Sequence, residues 1–409
     1  MTTDLPRTAG LRYAARMDLV QPSAIRELLR LGTDPDVISF GGGYPDPDLF
    51  PVEELHAVYA SLLTREHALA LQYTASNGLP VLREQIAARM RADGTPCTAD
   101  EVLVLQGAQQ GLDLAAKLVL DAGDTVVTED PTFLGALIAF NPCEPTYAPV
   151  RGDEDGLDPD DLERVLATSP RARMIYTVPD FSNPTGVTLS LERRHRLIEL
   201  ANAYDLLVLE DSPYRALRYD GETLPTLRSL DTEGRVVHLG SFSKILAPGV
   251  RLGWAVADPA VIEKLGLLKL AADTQSSTLN MAATSAYLAG YDLEAHLVEA
   301  RARYRHKRDL MLATLARVLP DGVRFTRPAG GLFTWLTFPD GFDAAAFMAD
   351  ELLPKDKVAY VPGATFFPVR QQPQHARMSF SGQPDDRMVE GLTRLGARLR
   401  SVLGPASGG

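Results

Sequence analysis

Six strand-sized apolar runs, separated by stretches of helical periodicity, leave this chain few folds to choose from. They are Glu101-Val102-Leu103-Val104-Leu105, Thr125-Val126-Val127-Thr128, Met174-Ile175-Tyr176-Thr177-Val178, Leu206-Leu207-Val208-Leu209, Val236-Val237-His238-Leu239 and Leu252-Gly253-Trp254-Ala255-Val256. Residues 109–121, 190–204 and 259–271 read as helices. Strands apolar on both faces need cover on both, so the pattern predicts an α/β fold: a mostly parallel sheet with helices on each side. This large body is expected to span 45–290. After a long polar-faced helix near 293–318, short strands are expected around Val323, Leu332, Val358 and Met378, with helices near 343–352 and 384–402. That pattern predicts a smaller α+β domain over 291–409, joined by an N-terminal segment, 1–44. The tail Gly404-Pro405-Ala406-Ser407-Gly408-Gly409 is expected to be disordered.

Composition narrows the function. With 409 residues, 45% of them hydrophobic, the chain can bury a large core. No apolar run is long enough to span a bilayer, and the start, MTTDLPRTAG, lacks the apolar core of a signal peptide. Cys97 and Cys143, the only cysteines, belong to no CxxC or Cys/His cluster, so neither a disulfide framework nor a metal site is signalled and a cytoplasmic protein is expected. A formal net charge of −12 argues against broad electrostatic binding to nucleic acid or an anionic membrane. Any anion this protein binds must be held by a few local groups.

In open α/β sheets ligands sit at the carboxyl ends of the strands, and four of those ends carry polar groups. The first is followed by Gln106-Gly107-Ala108-Gln109-Gln110-Gly111, a turn that opens a helix with free N–H groups suited to an anion. It also reads simply as a tight strand-to-helix turn. The third is followed by Asn183-Pro184-Thr185-Gly186, turn chemistry that offers the Asn183 amide as a ligand. The fourth ends in Glu210-Asp211-Ser212-Pro213-Tyr214, where a carboxylate emerging from a buried edge calls for a cation, unless Asp211 or Ser212 caps a helix. The fifth leads into Gly240-Ser241-Phe242-Ser243-Lys244, with Arg251 seven residues beyond the lysine. Two hydroxyls and a guanidinium suit a phosphate, and apolar company with a nearby cation favours the neutral, nucleophilic form of Lys244. Phosphate cup, cation partner, phenolic-oxygen partners and amine together match pyridoxal 5′-phosphate, whose usual setting is a lysine Schiff base with an acid at the ring nitrogen.

The motifs Ile38-Ser39-Phe40-Gly41-Gly42-Gly43-Tyr44-Pro45, Gln72-Tyr73, Asn183-Pro184-Thr185-Gly186, Asp211-Ser212-Pro213-Tyr214, Ser241-Phe242-Ser243-Lys244, Arg251-Leu252-Gly253-Trp254 and Arg377-Met378-Ser379-Phe380 occur in this order. From about Ser23 to Leu399 the chain resembles the fold-type I pyridoxal-phosphate aminotransferases of class I/II. It is most similar to the branch of 2-aminoadipate and multisubstrate kynurenine-type enzymes. The resemblance implies that Lys244 tethers the cofactor and carries the proton, that Asp211 holds the ring nitrogen, and that Asn183 and Tyr214 hold the phenolic oxygen. Phe133 would stack on the ring. The phosphate would meet the amides of Ala108 and Gln109, Ser241, Ser243, Arg251, and Tyr73 from a second subunit, which implies a homodimer with shared sites. Arg377 would take the substrate α-carboxylate beside Gly42. Ser23 and Arg26, which share a face of an expected helix over 22–30, would meet the substrate side chain.

Implied, therefore, is a ping-pong transfer of the amino group of an L-amino acid to a 2-oxo acid such as 2-oxoglutarate. The donor would be 2-aminoadipate, glutamate or a large apolar or aromatic amino acid. The same cofactor fold also serves lyases, cyclases and oxidases, the alternative reading. Ala108, Phe133 and Gln275 stand where the family commonly has Ser, Tyr and His, and none of these changes removes a catalytic group.

Overall fold

The structure is a computed structural model that describes residues 12–20 and 34–403. The expected helix over 22–30, with Ser23 and Arg26, and the tail 404–409 lie outside the described residues.

An eight-stranded sheet forms the centre. Its strands are β1 (Val102–Leu105), β2 (Thr125–Asp130), β3 (Thr146–Asp153), β4 (Gly156–Leu157), β5 (Ala172–Thr177), β6 (Leu207–Asp211), β7 (Val236–Ser241) and β8 (Gly253–Val256). They lie side by side in the order β1-β8-β7-β6-β5-β2-β3-β4. Strands β7, β6, β5, β2 and β3 run parallel, while β8 is antiparallel to both of its neighbours. Because β8 is reversed, β1 points the same way as β7, and the carboxyl ends of β1, β2, β5, β6 and β7 share one edge.

The alternation of side chains explains the double cover. Val102 and Val104 pack into the cluster that includes Leu82 and Ile86 of helix α1 (Pro80–Ala92), whereas Leu103 and Leu105 pack with Leu112 and Ala116 of helix α2 (Ala108–Val119). All four side chains of β1 are fully buried. Strand β3 was not among the expected strands: its sequence, TYAPVRGD, buries only Val150 fully and carries a proline, as strands near a sheet edge can.

Beyond the long helix α3 (Leu293–Val318) stands a second sheet of four antiparallel strands: β9 (Arg324–Phe325), β10 (Phe333–Thr337), β11 (Val361–Pro362) and β12 (His375–Ser379), in the order β9-β10-β12-β11. The helix expected near 343–352 is a short α turn, Ala344–Ala346, continued by a wider π segment, Phe347–Leu352. Ile38–Ser39 pairs in parallel with Val358–Ala359, and the run Gly41-Gly42-Gly43 follows directly, its Gly43 carbonyl accepting from Lys244 Nζ. Among the described residues no helix is long and apolar enough to cross a membrane.

Candidate active site

The five carboxyl ends open on a cavity of about 380 Å³. Gly41, Gly43, Tyr44, Ala108, Gln109, Phe133, Asn183, Asp211, Tyr214, Ser241, Ser243, Lys244, Arg251, Phe333 and Arg377 are among its walls. Thus ten of the expected cofactor residues converge, delivered by the carboxyl ends of five strands and by the loop 242–252. Two expected residues are not among these walls, and two more lie outside the described residues. Tyr73 lies on the surface, 82% exposed, Gly42 is passed over while its neighbours Gly41 and Gly43 line the wall, and Ser23 and Arg26 are not described.

Helix α2 begins with Ala108 directly after Gly107, whose φ of 75° is the left-handed conformation that glycine tolerates. The first turn of a helix carries N–H groups with no partner inside the helix, so this end presents donors and the positive pole of its dipole to the cavity. A Cβ on Gly107 would stand 2.6 Å from Arg251 Nη2, which shows how tightly the guanidinium is laid against the turn. Arg251 Nη1 reaches Ser243 Oγ at 3.5 Å, and Ser241 Oγ accepts from the Ser243 amide at 3.1 Å. Hydroxyls, guanidinium and helix end therefore form one cup suited to a dianion.

On the other side of the cup, Lys244 Nζ donates to the Gly43 carbonyl at 2.8 Å and sits 5.9 Å from the Tyr214 ring centroid. Burial, with the charges of Arg377 and Arg251 adding to it, lowers the lysine pKa to about 8. About a tenth of the amine is then neutral at pH 7, far more than for an ordinary lysine.

Asp211 is buried, which raises its carboxyl to about 6, while a hydrogen bond from Tyr176 pulls in the opposite direction. Tyr176 Oη donates to Oδ2 at 3.0 Å; Oδ1 is buried with no partner. An orphaned carboxylate oxygen facing a ligand cavity calls for a cationic N–H. Arg377 lies between the rings of Phe333, 4.3 Å away, and Phe366, 5.1 Å away. Its Nη1 donates to Asn183 Oδ1 at 2.8 Å and its Nη2 to the Gly41 carbonyl at 2.7 Å, leaving Nε buried and unpartnered. Burial lowers the pKa of this guanidinium to about 10.

Sequence reasoning missed Tyr176, Gly43 and Phe333. Tyr176 was read only as strand core, although its place two residues after Met174 puts it on a face shared with the β6 carboxylate.

These features have counterparts in known proteins. A profile described as "Aminotransferase class I and II" matches residues 36–395. The chain belongs to the class I and II aminotransferases. An aromatic-amino-acid aminotransferase of Thermococcus litoralis is 39% identical over 389 residues, covering 94% of this chain and 93% of the relative. A kynurenine aminotransferase of Pyrococcus horikoshii, solved with pyridoxamine phosphate, kynurenine and its product, superposes with a TM-score of 0.91 at 38% identity, covering 96% of this chain and 98% of the other. An α-aminoadipate aminotransferase of Thermus thermophilus, solved with a phosphopyridoxyl-leucine adduct, gives 0.87 at 37% identity, covering the same shares. This aminotransferase therefore has the pyridoxal-phosphate fold type I and moves an amino group between an amino acid and a 2-oxo acid. Its cavity fits that cofactor on its own evidence: a donor-lined cup for the phosphate, a partnerless Asp211 oxygen for the ring nitrogen, and a lysine with a depressed pKa for the aldehyde.

Proposed function

We propose that this aminotransferase takes large apolar or aromatic L-amino acids and 2-aminoadipate as donors, with 2-oxoglutarate as acceptor. The observation that carries this reading is the composition of the cavity wall: Tyr44, Leu112, Phe133, Val178 and Phe333 supply a broad apolar lining, and Arg377 supplies an unpartnered N–H. The names of the relatives, which span aromatic amino acids, kynurenine and aminoadipate, support it.

Bound there, pyridoxal phosphate supplies an electron sink for the pair of electrons left on the substrate α-carbon when its proton departs. Ser241, Ser243, Arg251 and the amides of Ala108 and Gln109 would hold the phosphate, and Phe133 would lie against the ring. Asp211, oriented by Tyr176, would keep the ring nitrogen protonated. Asn183 and Tyr214 would donate toward the phenolic oxygen. Arg377 would bind the substrate α-carboxylate through Nε and one terminal nitrogen, shedding a present hydrogen bond to do so. Lys244 Nζ, freed from its tether, would take the α-proton and deliver it one position along.

In this reading 45–290 carries the cofactor, and 1–44 with 291–409 carries Gly41 and Arg377. Tyr73, exposed in a single chain, would complete the phosphate site of a second copy, making the working unit a homodimer in the cytoplasm with no nucleic-acid or membrane partner.

The test is a donor panel on the cofactor-loaded enzyme with no oxo acid present, followed through the cofactor's visible absorption. Leucine, phenylalanine, kynurenine and 2-aminoadipate should each bleach the band, and 2-oxoglutarate should restore it. A band that bleaches only with small donors such as alanine would sink the substrate assignment; ammonia released without an acceptor would sink the roles assigned to the residues.

A further inference from the structure

Arg377 is held by neutral groups. Both of its hydrogen-bond acceptors, Asn183 Oδ1 and the Gly41 carbonyl, are uncharged, and the faces of Phe333 and Phe366 flank its guanidinium. A carboxylate in the place of either ring would bind the cation but also neutralise it, and a substrate anion would then have to compete with that acid. An aromatic face attracts the cation and leaves its charge and its N–H edge to a ligand.

The two rings reach Arg377 by different routes. Trp335 stands directly opposite Arg377 across β10 and β12, and Phe333 lies two residues before Trp335, so the three project from one face of the second sheet. Phe333 lines the cofactor cavity. Phe366 stands behind, fully buried at the end of the turn Gly363–Phe366 that follows β11. The indole of Trp335 meets its ring edge to face, with centroids 5.7 Å apart and planes at 82°, and stacks in turn on His375 at 5.2 Å. With Val361, Phe367 and the partly buried Leu134, Trp335 and Phe366 make a small apolar cluster of their own. The carbonyl of Phe366 accepts from the Thr132 amide at 2.9 Å. Thr132 is buried and directly precedes Phe133, the residue assigned to the cofactor ring. Phe366 thus meets the substrate's cation with its side chain and the cofactor's stacking loop with its main chain.

On the assignment of Arg377 to the substrate α-carboxylate, we propose that Phe366 is a positioning residue for that carboxylate: its ring, braced by Trp335, sets the plane of the Arg377 guanidinium, and its carbonyl ties this grip to the loop that carries Phe133. Nε of Arg377 is buried without a partner, so the guanidinium has to turn in its own plane to present two parallel N–H groups to a carboxylate. A flat ring against a flat cation permits that turn and resists tilting out of plane, which an aliphatic side chain of similar bulk does not do.

The test uses the cofactor-loaded enzyme with the best donor of the panel and the amine that lacks that donor's carboxylate, 2-phenylethylamine where the donor is phenylalanine. Binding of each is followed through the cofactor's absorption. Phe366→Leu should weaken the amino acid roughly twofold to thirtyfold, the worth of one cation–π contact, with a smaller change in the rate at saturation, and leave the amine's affinity as it was. Equal weakening of both ligands means that the ring only supports the fold and overturns the proposal, as does no weakening of either. Should the amine leave the band unchanged, a double-mutant cycle puts the same question: Phe366→Leu should add nothing to the loss caused by Arg377→Met, and an additive loss overturns the proposal. Arg377→Met separates the two layers of the argument. If it weakens amino acid and amine alike, Arg377 does not bind the carboxylate and both assignments fall; if it is selective and Phe366→Leu is not, only the role of Phe366 falls. Thermal melts check each variant's fold, and Phe366→Met, also without an aromatic face, replaces the leucine variant if that one does not fold.

Discussion

Lys244 and Asp211 are both pushed toward neutrality by burial, one from above and one from below, and the cofactor is what makes their charges worth holding. The carboxyl titrates near 6 in the chain alone, above the usual carboxylate range. Below that pH it is protonated and must lose its proton before it can face a cationic ring nitrogen. Cofactor affinity should therefore tighten as pH rises through 6, by at most about tenfold per pH unit, and then level off. Equilibrium dialysis of the apo protein between pH 5 and 8 measures this. Asp211→Asn should erase the step that belongs to the carboxyl, and an unchanged profile in that variant would refute the assignment. Arg377→Lys replaces a planar fork with a point charge. Its KM for donor and acceptor should rise roughly tenfold to a hundredfold, the equivalent of one hydrogen bond to a charged group, with a smaller change in kcat. Most of these side chains were legible in the sequence because they follow strands, where an open sheet presents its ligands. Tyr176 and Phe333 were not, since an aromatic residue in an apolar run looks like core until folding shows which carboxylate or guanidinium lies beside it.

At the scale of elements, the helix end that faces the cavity depends on how closely β8 passes it. A Cβ on Gly253 would lie 2.8 Å from the Ala108 amide and 2.8 Å from the Gly240 carbonyl, both backbone atoms that cannot turn aside. Gly253→Ala should destabilise the protein by about 1–3 kcal/mol, as overpacked sites do, and lower cofactor retention more than Gly249→Ala, whose Cβ meets nothing within 4 Å. Thermal melts with and without cofactor separate the two effects; equal behaviour of the two variants would contradict the close-approach argument. The alternating apolar runs made the buried strands readable. Strand β3 escaped because most of its side chains stay partly exposed and its order near the edge is set by pairing with β2, a long-range relation no local pattern encodes. The reversal of β8 escaped for the same reason: a fully buried four-residue run looks alike in either direction.

For the whole molecule, the exposed Tyr73 makes a prediction about assembly. If it serves a second copy, Tyr73→Phe should weaken cofactor binding roughly tenfold, one hydrogen bond to a charged group, with the single-chain fold unaffected. Mixing Lys244→Ala chains with Tyr73→Phe chains should then regenerate one intact site per hybrid pair, recovering activity that neither parent has at limiting cofactor. No recovery, or a protein that elutes at the mass of one chain, would argue against the shared site. The second set of short strands was readable from the change of pattern after the long helix; the placing of Gly41 and Gly43 at the cavity was not, because it follows a two-residue pairing with Val358–Ala359.

The antiparallel β8 has one more effect. Since β7 and β8 form a hairpin, residues 242–252 return the chain to the same edge without a crossover, and Lys244 and Arg251 travel on one uninterrupted loop. The two cations proposed as tether and phosphate clamp thus lie on a single continuous piece of chain. New chain ends could be cut into the other connections of the sheet, and the old ones joined, with the distance between these two cations untouched; a cut between them would be the one circular permutation the cofactor notices first.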